Sequence, residues 1–355
     1  MMKVLIAMSG GVDSSVAAKL LCDEGCECIG CTMKLYDNCD AGLPRGRTCC
    51  SLDDVEDARS VAFSLGMRYY VFNFKDDFRE KVIKKFASGY LRGQTPNPCI
   101  DCNRYMKFDK LLERAKLLGC DKLATGHYAR IEFDGEKYRL KKALDKSKDQ
   151  GYVLYMLTQE QLAHTLFPLG SLHKTDTRAI ADAADLSSAR KPDSQDICFV
   201  PDGDYAAAIE RLTGEKAPCG DFIDASGKIL GTHRGITHYT VGQHRGLGLS
   251  LPERRYVCGI DAESGTVTLG GSDELYSSTA EVHGFNWISG ETPSEPIRCT
   301  AKIRYRQPEQ PATAIAHKDG SITIQFDAPQ RAVTPGQAAV LYDGDTVLGG
   351  GEIVR

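Results

Sequence analysis

Residues 3–15 read KVLIAMSGGVDSS, and this stretch decides the fold. Val4, Leu5 and Ile6 are a short apolar run of β-formers bounded by small residues. That is the pattern of a strand buried on both faces of a parallel sheet. Gly10 and Gly11 let the chain turn sharply and leave several backbone N–H groups open. From Ser14 to Leu21, the residues Val16, Ala17, Leu20 and Leu21 recur at helical spacing. A strand, a glycine turn and a helix start in succession make an anion site. The open N–H groups and the positive end of the helix dipole both favour phosphate.

The details narrow the ligand. A mononucleotide loop of the type G-x-x-x-x-G-K-S/T needs a lysine after its glycines, and a dinucleotide turn needs G-x-G-x-x-G. Neither pattern is present. S-G-G-x-D-S resembles instead the PP-loop of the ATP pyrophosphatases. Those enzymes cut ATP between the α and β phosphates, move AMP onto an oxygen of a substrate and release pyrophosphate. The resemblance implies that Ser9, Ser14 and the backbone N–H groups hold pyrophosphate. It also implies that Asp13 helps place Mg²⁺, a hard ion that prefers carboxylate and phosphate oxygens. Taken alone, SGG also fits an ordinary tight strand-to-helix turn.

Outward from this stretch, residues 1 to about 200 alternate strand and helix patterns. Strands are expected at Cys28–Met33, Arg68–Phe74 and Lys122–Thr125, and helices at Leu52–Leu65, Phe78–Leu91 and Phe108–Leu118. This rhythm predicts an α/β domain with a doubly wound parallel sheet. Ligands of such sheets sit at the carboxyl ends of the strands, where Ser9, Met33 and Gly126 fall. Met33 either packs on an adenine face or fills the core, and Gly126 allows close backbone approach. After a helix at Tyr205–Leu212 the grammar changes to short β-type runs, including THYTVGQH, separated by Gly, Pro and Asp. Five to seven strands from about Ala280 onward suggest a small barrel. The expected domains are residues 1–202, a catalytic ATP-binding unit; 203–279, a central β-rich unit; and 280–355, a β-barrel.

The composition of the 355 residues is that of an ordinary globular protein, 42% hydrophobic and 26% charged. No apolar run approaches the roughly 18 residues of a membrane span, so no membrane partner is expected. The net charge of −4 argues against a globally basic nucleic-acid binder but leaves room for a local basic face. The N-terminus reads as the first strand rather than a signal peptide, so a reducing cytoplasm is expected for the fourteen cysteines.

Thr95 to Phe108 reads TPNPCIDCNRYMKF, a proline-stiffened loop that presents Cys99 and Cys102 just before a helix. A helix start favours the thiolate. C-x-x-C is also half of a zinc site, but no second pair with zinc-finger spacing follows. Lys191 to Pro201 reads KPDSQDICFVP, with Cys198 in an apolar, strand-like run, where a small buried hydrophobe is the competing role.

The blocks AMSGGVDSS, TPNPCIDCNRYMKF, ATGHYAR, DKSKDQGYVLYML, KPDSQDICFVP, HYTVGQHRGLG and KIRYRQ together resemble the tRNA-specific 2-thiouridylases of bacteria and mitochondria. They occur in family order along the whole chain. The resemblance implies ATP-dependent replacement of the C2 oxygen of wobble uridine by sulfur in Lys-, Glu- and Gln-type tRNAs. Implied nucleotide contacts are Ala7, Met8, Ser9, Gly10, Gly11, Val12, Asp13 and Ser14, with Met33 and Gly126. Implied tRNA contacts are His127, Lys148, Asp149, Gln150, Arg304, Tyr305 and Gln337. Arg304 and Arg306 flank Tyr305, a pattern suited to phosphate and stacked bases, and equally an ordinary exposed strand edge.

By the same resemblance Cys198 carries a persulfide and Cys102 attacks it or the adjacent intermediate. The pair then ends as a disulfide that an external reductant reopens. The sulfur comes from a relay protein or a cysteine desulfurase. Many members carry an aspartate where Cys99 stands. Three thiols, Cys99, Cys102 and Cys198, therefore offer a second route, a 4Fe–4S cluster with one open iron. Cys39, Cys49 and Cys50, in a loop containing Gly and Asp, are either solvent-exposed bystanders or a further metal-binding group. A small-molecule PP-loop ligase and a non-catalytic sulfur carrier are the alternative functions.

Overall fold

The computed structural model describes residues 1–36, 52–193, 197–200 and 202–355. Cys39, Cys49 and Cys50 lie outside the described residues.

The strands β1 (Lys3–Ala7), β2 (Glu27–Lys34), β3 (Arg68–Asn73), β4 (Lys122–Thr125) and β7 (Thr165–Leu166) form one parallel sheet in the order β3-β2-β1-β4-β7. β1 is central, as its apolar run requires. Leu5 joins Ile29 and Leu123 in the core on one face, while Val4 and Ile6 join Val16, Ala17 and Ala124 on the other. All three β1 residues are fully buried, so a sheet covered on both sides explains why the run does not alternate. Helices α1 (Val12–Asp23) and α2 (Leu52–Ser64) pack on this sheet.

Two helical stretches depart from simple α-helix. Lys75–Phe78 and Lys84–Leu91 are joined through π-wound turns at Arg79–Ile83, and Cys102–Leu111 is π-wound throughout. Such widened turns recur at functional sites, and the second begins at a candidate thiol.

β8 (Gly220–Ile223), β9 (Ile229–His233), β10 (Tyr256–Asp261) and β11 (Thr266–Gly270) form a small sheet around Phe222, Val257, Val267 and Leu269. The run THYTVGQH is not one of its strands. It forms a short 3₁₀ turn at Ile236–His238 followed by loop.

β12 (Tyr276–Trp287), β13 (Ile297–Lys302), β14 (Gln310–Ala316), β15 (Ile322–Arg331), β16 (Ala338–Asp343) and β17 (Thr346–Ile353) close into a six-stranded barrel. Closure comes from the long β12. Its first half pairs with β15 and its second half, Val282 to Trp287, pairs with β17. A closed barrel has no exposed edges along its circuit.

Two segments of the N-terminal part belong to the barrel in space. The hairpin β5 (Ala129–Phe133) and β6 (Tyr138–Lys142) meets β17 at Lys141 and Thr346. The apolar run 151–157 is a 3₁₀ turn at Gly151–Val153 followed by irregular chain. Every residue of it is buried. The Tyr152 hydroxyl donates to the Ala338 carbonyl at 2.8 Å, and Asn286 Nδ2 donates to the Tyr155 carbonyl at 2.8 Å. With apolar contact on all sides, the run carries no amphipathic stripe and acts as a strap between sheet and barrel.

Candidate active site

β2 and β4 flank β1, and the chain leaves β1 toward β2 but enters the other half of the sheet at β4. The crevice at the carboxyl ends of β1 and β4 is therefore the switch point where open α/β sheets bind ligands. Ser9 to Ser15 occupy it.

The loop is held by its serines. Ser9 N–H donates to Ser14 Oγ at 3.1 Å, Ser14 Oγ donates to the Gly11 carbonyl at 3.1 Å, and Ser15 Oγ donates to the same carbonyl at 3.0 Å. Gly10 is left-handed (φ 74°), and a Cβ there would stand 2.4 Å from the Asp54 carbonyl oxygen. The glycine thus admits the start of α2. Gly126 does the same from the other side: a Cβ would lie 2.8 Å from both Asp13 C and Ser14 N. Its close approach is to the loop backbone itself.

Asp13 lies in the first turn of α1 and is the centre of a charge network. Lys174 Nζ stands 2.7 and 2.8 Å from its two oxygens, and the Tyr128 hydroxyl donates to Oδ1 at 2.9 Å. Lys174 also pairs with Asp193 at 2.9 Å, which in turn holds Lys148 and Arg178 at 2.8 Å each. Partial burial opposes the charge on Asp193, but the hydrogen bonds from Lys148 and Lys174 outweigh it and hold the carboxyl at about 2. Burial, and after it the neighbouring Asp13 carboxylate, leave the Tyr128 hydroxyl harder to ionise than usual, and the hydrogen bond to Thr177 offsets only part of this. Lys174, Tyr128, Arg178 and Asp193 escape a sequence reading. Asp193 lies in the quoted block KPDSQDICFVP, and only its distance in sequence from Asp13 hides the connection.

Cys99 and Cys102 sit where the proline loop meets a helix. Asn97 caps the turn Pro98–Asp101, accepting the Cys99 N–H at 3.1 Å, with Pro98 in the position that needs no donor. Cys99 is exposed; Cys102 is half-buried and opens the π-wound turns. Cys198 is also half-buried and lies in a turn rather than a strand. The Tyr36 hydroxyl donates to its carbonyl at 2.7 Å, and Phe199 packs edge-on against Phe78 and Phe86. Cys102 and Cys198 pack against the same core. Among the described residues, no three His, Cys, Asp or Glu side chains are grouped to hold a metal ion. Cys99, Cys102 and Cys198 are not brought together as such a group in this structure. Mg²⁺ asks less of the protein, one or two carboxylates beside nucleotide phosphates, and Asp13 fits that role.

The remaining expected contacts fall into two groups. His127 is turned inward, 7% exposed, with Nδ1 2.6 Å from Thr125 Oγ1 and Nε2 3.3 Å from Lys107 Nζ. Burial and Lys107 hold the ring neutral. Arg304 donates to the Val241 carbonyl at 2.9 Å and to Thr334 Oγ1 at 2.7 Å, joining the loop after the Ile236–His238 turn to the barrel. Gln337 donates to the Thr95 carbonyl, so the barrel grips the thiol loop. Asp149 accepts the Ala143 N–H at 2.9 Å, and Gln150 accepts the Tyr128 N–H at 2.9 Å. Outward-facing is Tyr305, 40% exposed, its hydroxyl 3.4 Å from the Asp149 carbonyl. Met33 is half-buried against the main core. Ala7, Met8 and Val12 line the strand-to-helix turn, with Met8 and Val12 buried.

Family comparisons agree with this architecture. A model described as "tRNA methyl transferase HUP domain" matches residues 2–202, a "tRNA methyl transferase PRC-barrel domain" matches 208–271, and an "Aminomethyltransferase beta-barrel domain" matches 277–353. The tRNA-specific 2-thiouridylase MnmA of Acetivibrio thermocellus is 52% identical over 355 residues, covering 99% of both chains. The chain belongs to this family. MnmA 2 of Caldanaerobacter subterraneus subsp. tengcongensis is 51% identical, covering 99% of this chain and 98% of its own, and MnmA of Clostridioides difficile is 48% identical with the same coverage. Among the described residues no helix is long and apolar enough to cross a membrane.

Proposed function

We propose that this protein is an ATP-dependent sulfurtransferase that converts wobble uridine of tRNA to 2-thiouridine. The observation that carries the reading is the SGGVDS turn at the sheet's switch point, in a chain that also sets Cys102 and Cys198 on segments packed against that sheet's core. The chemistry needs both parts. A uracil carbonyl oxygen leaves poorly; adenylation by ATP releases pyrophosphate and converts that oxygen into part of AMP, which leaves readily. The terminal sulfur of a Cys198 persulfide attacks C2, and AMP departs with the oxygen. The Cys102 thiolate then attacks the Cys198 sulfur. The S–S bond to the base breaks, 2-thiouridine is released and a Cys102–Cys198 disulfide remains for a thiol reductant to open. Mg²⁺, when bound beside Asp13, neutralises phosphate charge. Cys99 takes no part in this route.

The tRNA is met by Lys148, Asp149 and Gln150 and by Tyr305, which stacks on a base. His127, Arg304 and Gln337 act behind that surface by holding its loops. The sulfur enters from a relay protein or desulfurase that loads Cys198. The test is mass analysis of wobble uridine in tRNA incubated with the protein, ATP, Mg²⁺ and a persulfide donor. An oxygen-to-sulfur exchange is expected. ATP consumed without any change in the tRNA would refute the assignment and favour a small-molecule ligase.

A further inference from the structure

A phosphate loop ending in G-K-S/T carries its own lysine, which reaches the β and γ phosphates. The SGGVDS turn has none. Folding brings one there from 161 residues away: Lys174. Its side chain is 12% exposed and its ammonium lies within 2.7–2.9 Å of both Asp13 oxygens and of Asp193. The root of the side chain is fixed as well, because the Lys174 backbone N–H donates to Asp145 Oδ2 at 3.0 Å.

We propose that Lys174 is the phosphate-binding lysine of this site. With Mg–ATP bound, its ammonium turns from Asp13 to the β- and γ-phosphate oxygens and stays on them as pyrophosphate leaves. The proposal rests on the nucleotide reading above. Asp13 is in the first turn of α1, so an ammonium held on it stands beside the N–H groups that cradle phosphate. The four-carbon stem allows a short swing without moving the backbone. The swing also leaves no carboxylate alone. Asp193 keeps Lys148 and Arg178, each at 2.8 Å, and Asp13 keeps the Tyr128 hydroxyl at 2.9 Å while taking up the metal. Lys174 thus occupies the cation position beside Asp13 until the nucleotide arrives.

A lysine that only braces Asp13 would affect all adenine nucleotides alike. A phosphate lysine discriminates by the β and γ phosphates. The full-length protein is titrated calorimetrically with Mg–ATP, magnesium pyrophosphate and AMP, using wild type, Lys174→Met and Lys174→Arg. Losing a charge-assisted contact to phosphate should weaken ATP and pyrophosphate by about tenfold to a hundredfold in Lys174→Met. AMP affinity should be unchanged, and Lys174→Arg should recover part of the loss. Lys174→Gln carries the same comparison if the methionine variant melts below the assay temperature. Equal losses for ATP and AMP, or unchanged ATP and pyrophosphate binding, would overturn the proposal while leaving the nucleotide site intact. A wild-type protein that binds no ATP would overturn both.

Discussion

Replacing Gly126 by alanine tests whether the end of β4 is the floor on which the nucleotide loop rests. The added Cβ would lie 2.8 Å from Asp13 C and Ser14 N and 3.1 Å from the Asp13 carbonyl oxygen. All three are backbone atoms at the start of α1, so no rotamer change relieves the contact. Ordinary contact begins at 3.4 Å, which means the loop must retreat by about 0.6 Å. Overpacking of this kind costs about 1–3 kcal/mol. For a unit of about 200 residues each kcal/mol lowers the melting temperature by roughly 2–4 °C. In the proposed function the displaced groups are also the ones that meet phosphate, so Mg–ATP should stabilise the variant much less than it stabilises the wild type. The assay is a thermal melt of both proteins with and without Mg–ATP. If Gly126→Ala melts with the wild type and gains as much from ATP, then the loop does not lean on Gly126 and the packing argument is wrong.

Four further outcomes are expected. Asp13→Ala should fold but form no AMP from ATP and tRNA; normal release of labelled AMP would remove Asp13 from the metal–pyrophosphate role. Cys198→Ser should still release pyrophosphate with tRNA yet make no 2-thiouridine, and iron-free wild type should thiolate fully with a persulfide donor; thiolation that requires iron would revive the cluster route. Asp193 should make stability depend on acid pH. Its folded carboxyl titrates at about 2, below the ordinary value of 3.8, so its contribution is present above about 4 and is lost as pH falls toward 2. The variant Asp193→Asn should lack that part of the acid slope in chemical denaturation, and identical slopes would show that its ion pairs add nothing.

How legible the molecule is from sequence depends on the range of each interaction. The run Val4–Ile6, the glycines after it and the spacing of Val16, Ala17 and Leu20 are local signals, and they suffice for β1, the turn and α1. The barrel was legible from its count of short strands, but the pairing that closes it, β12 with β15 and β17 in its two halves, was not. Hairpin β5–β6 had a signal, Asp134-Gly135 between alternating runs, but nothing local says that it joins β17. The run 151–157 shows no period for the same reason: its apolar residues face two different neighbours.

The sequence by itself determined the strand–glycine–helix turn, the thiols and the order of the parts, because each is written in contiguous residues whose backbone preferences and reactivity are their own. Tertiary structure alone decided which charges surround Asp13 and which way His127, Arg304 and Gln337 face. Lys174 and Asp193 reach Asp13 only after the chain has folded back, and whether a side chain meets solvent or a carbonyl depends on what packs against it. Proximity across 161 residues is created where the helix Lys174–Ala183 packs on α1, and it leaves no trace in any local pattern.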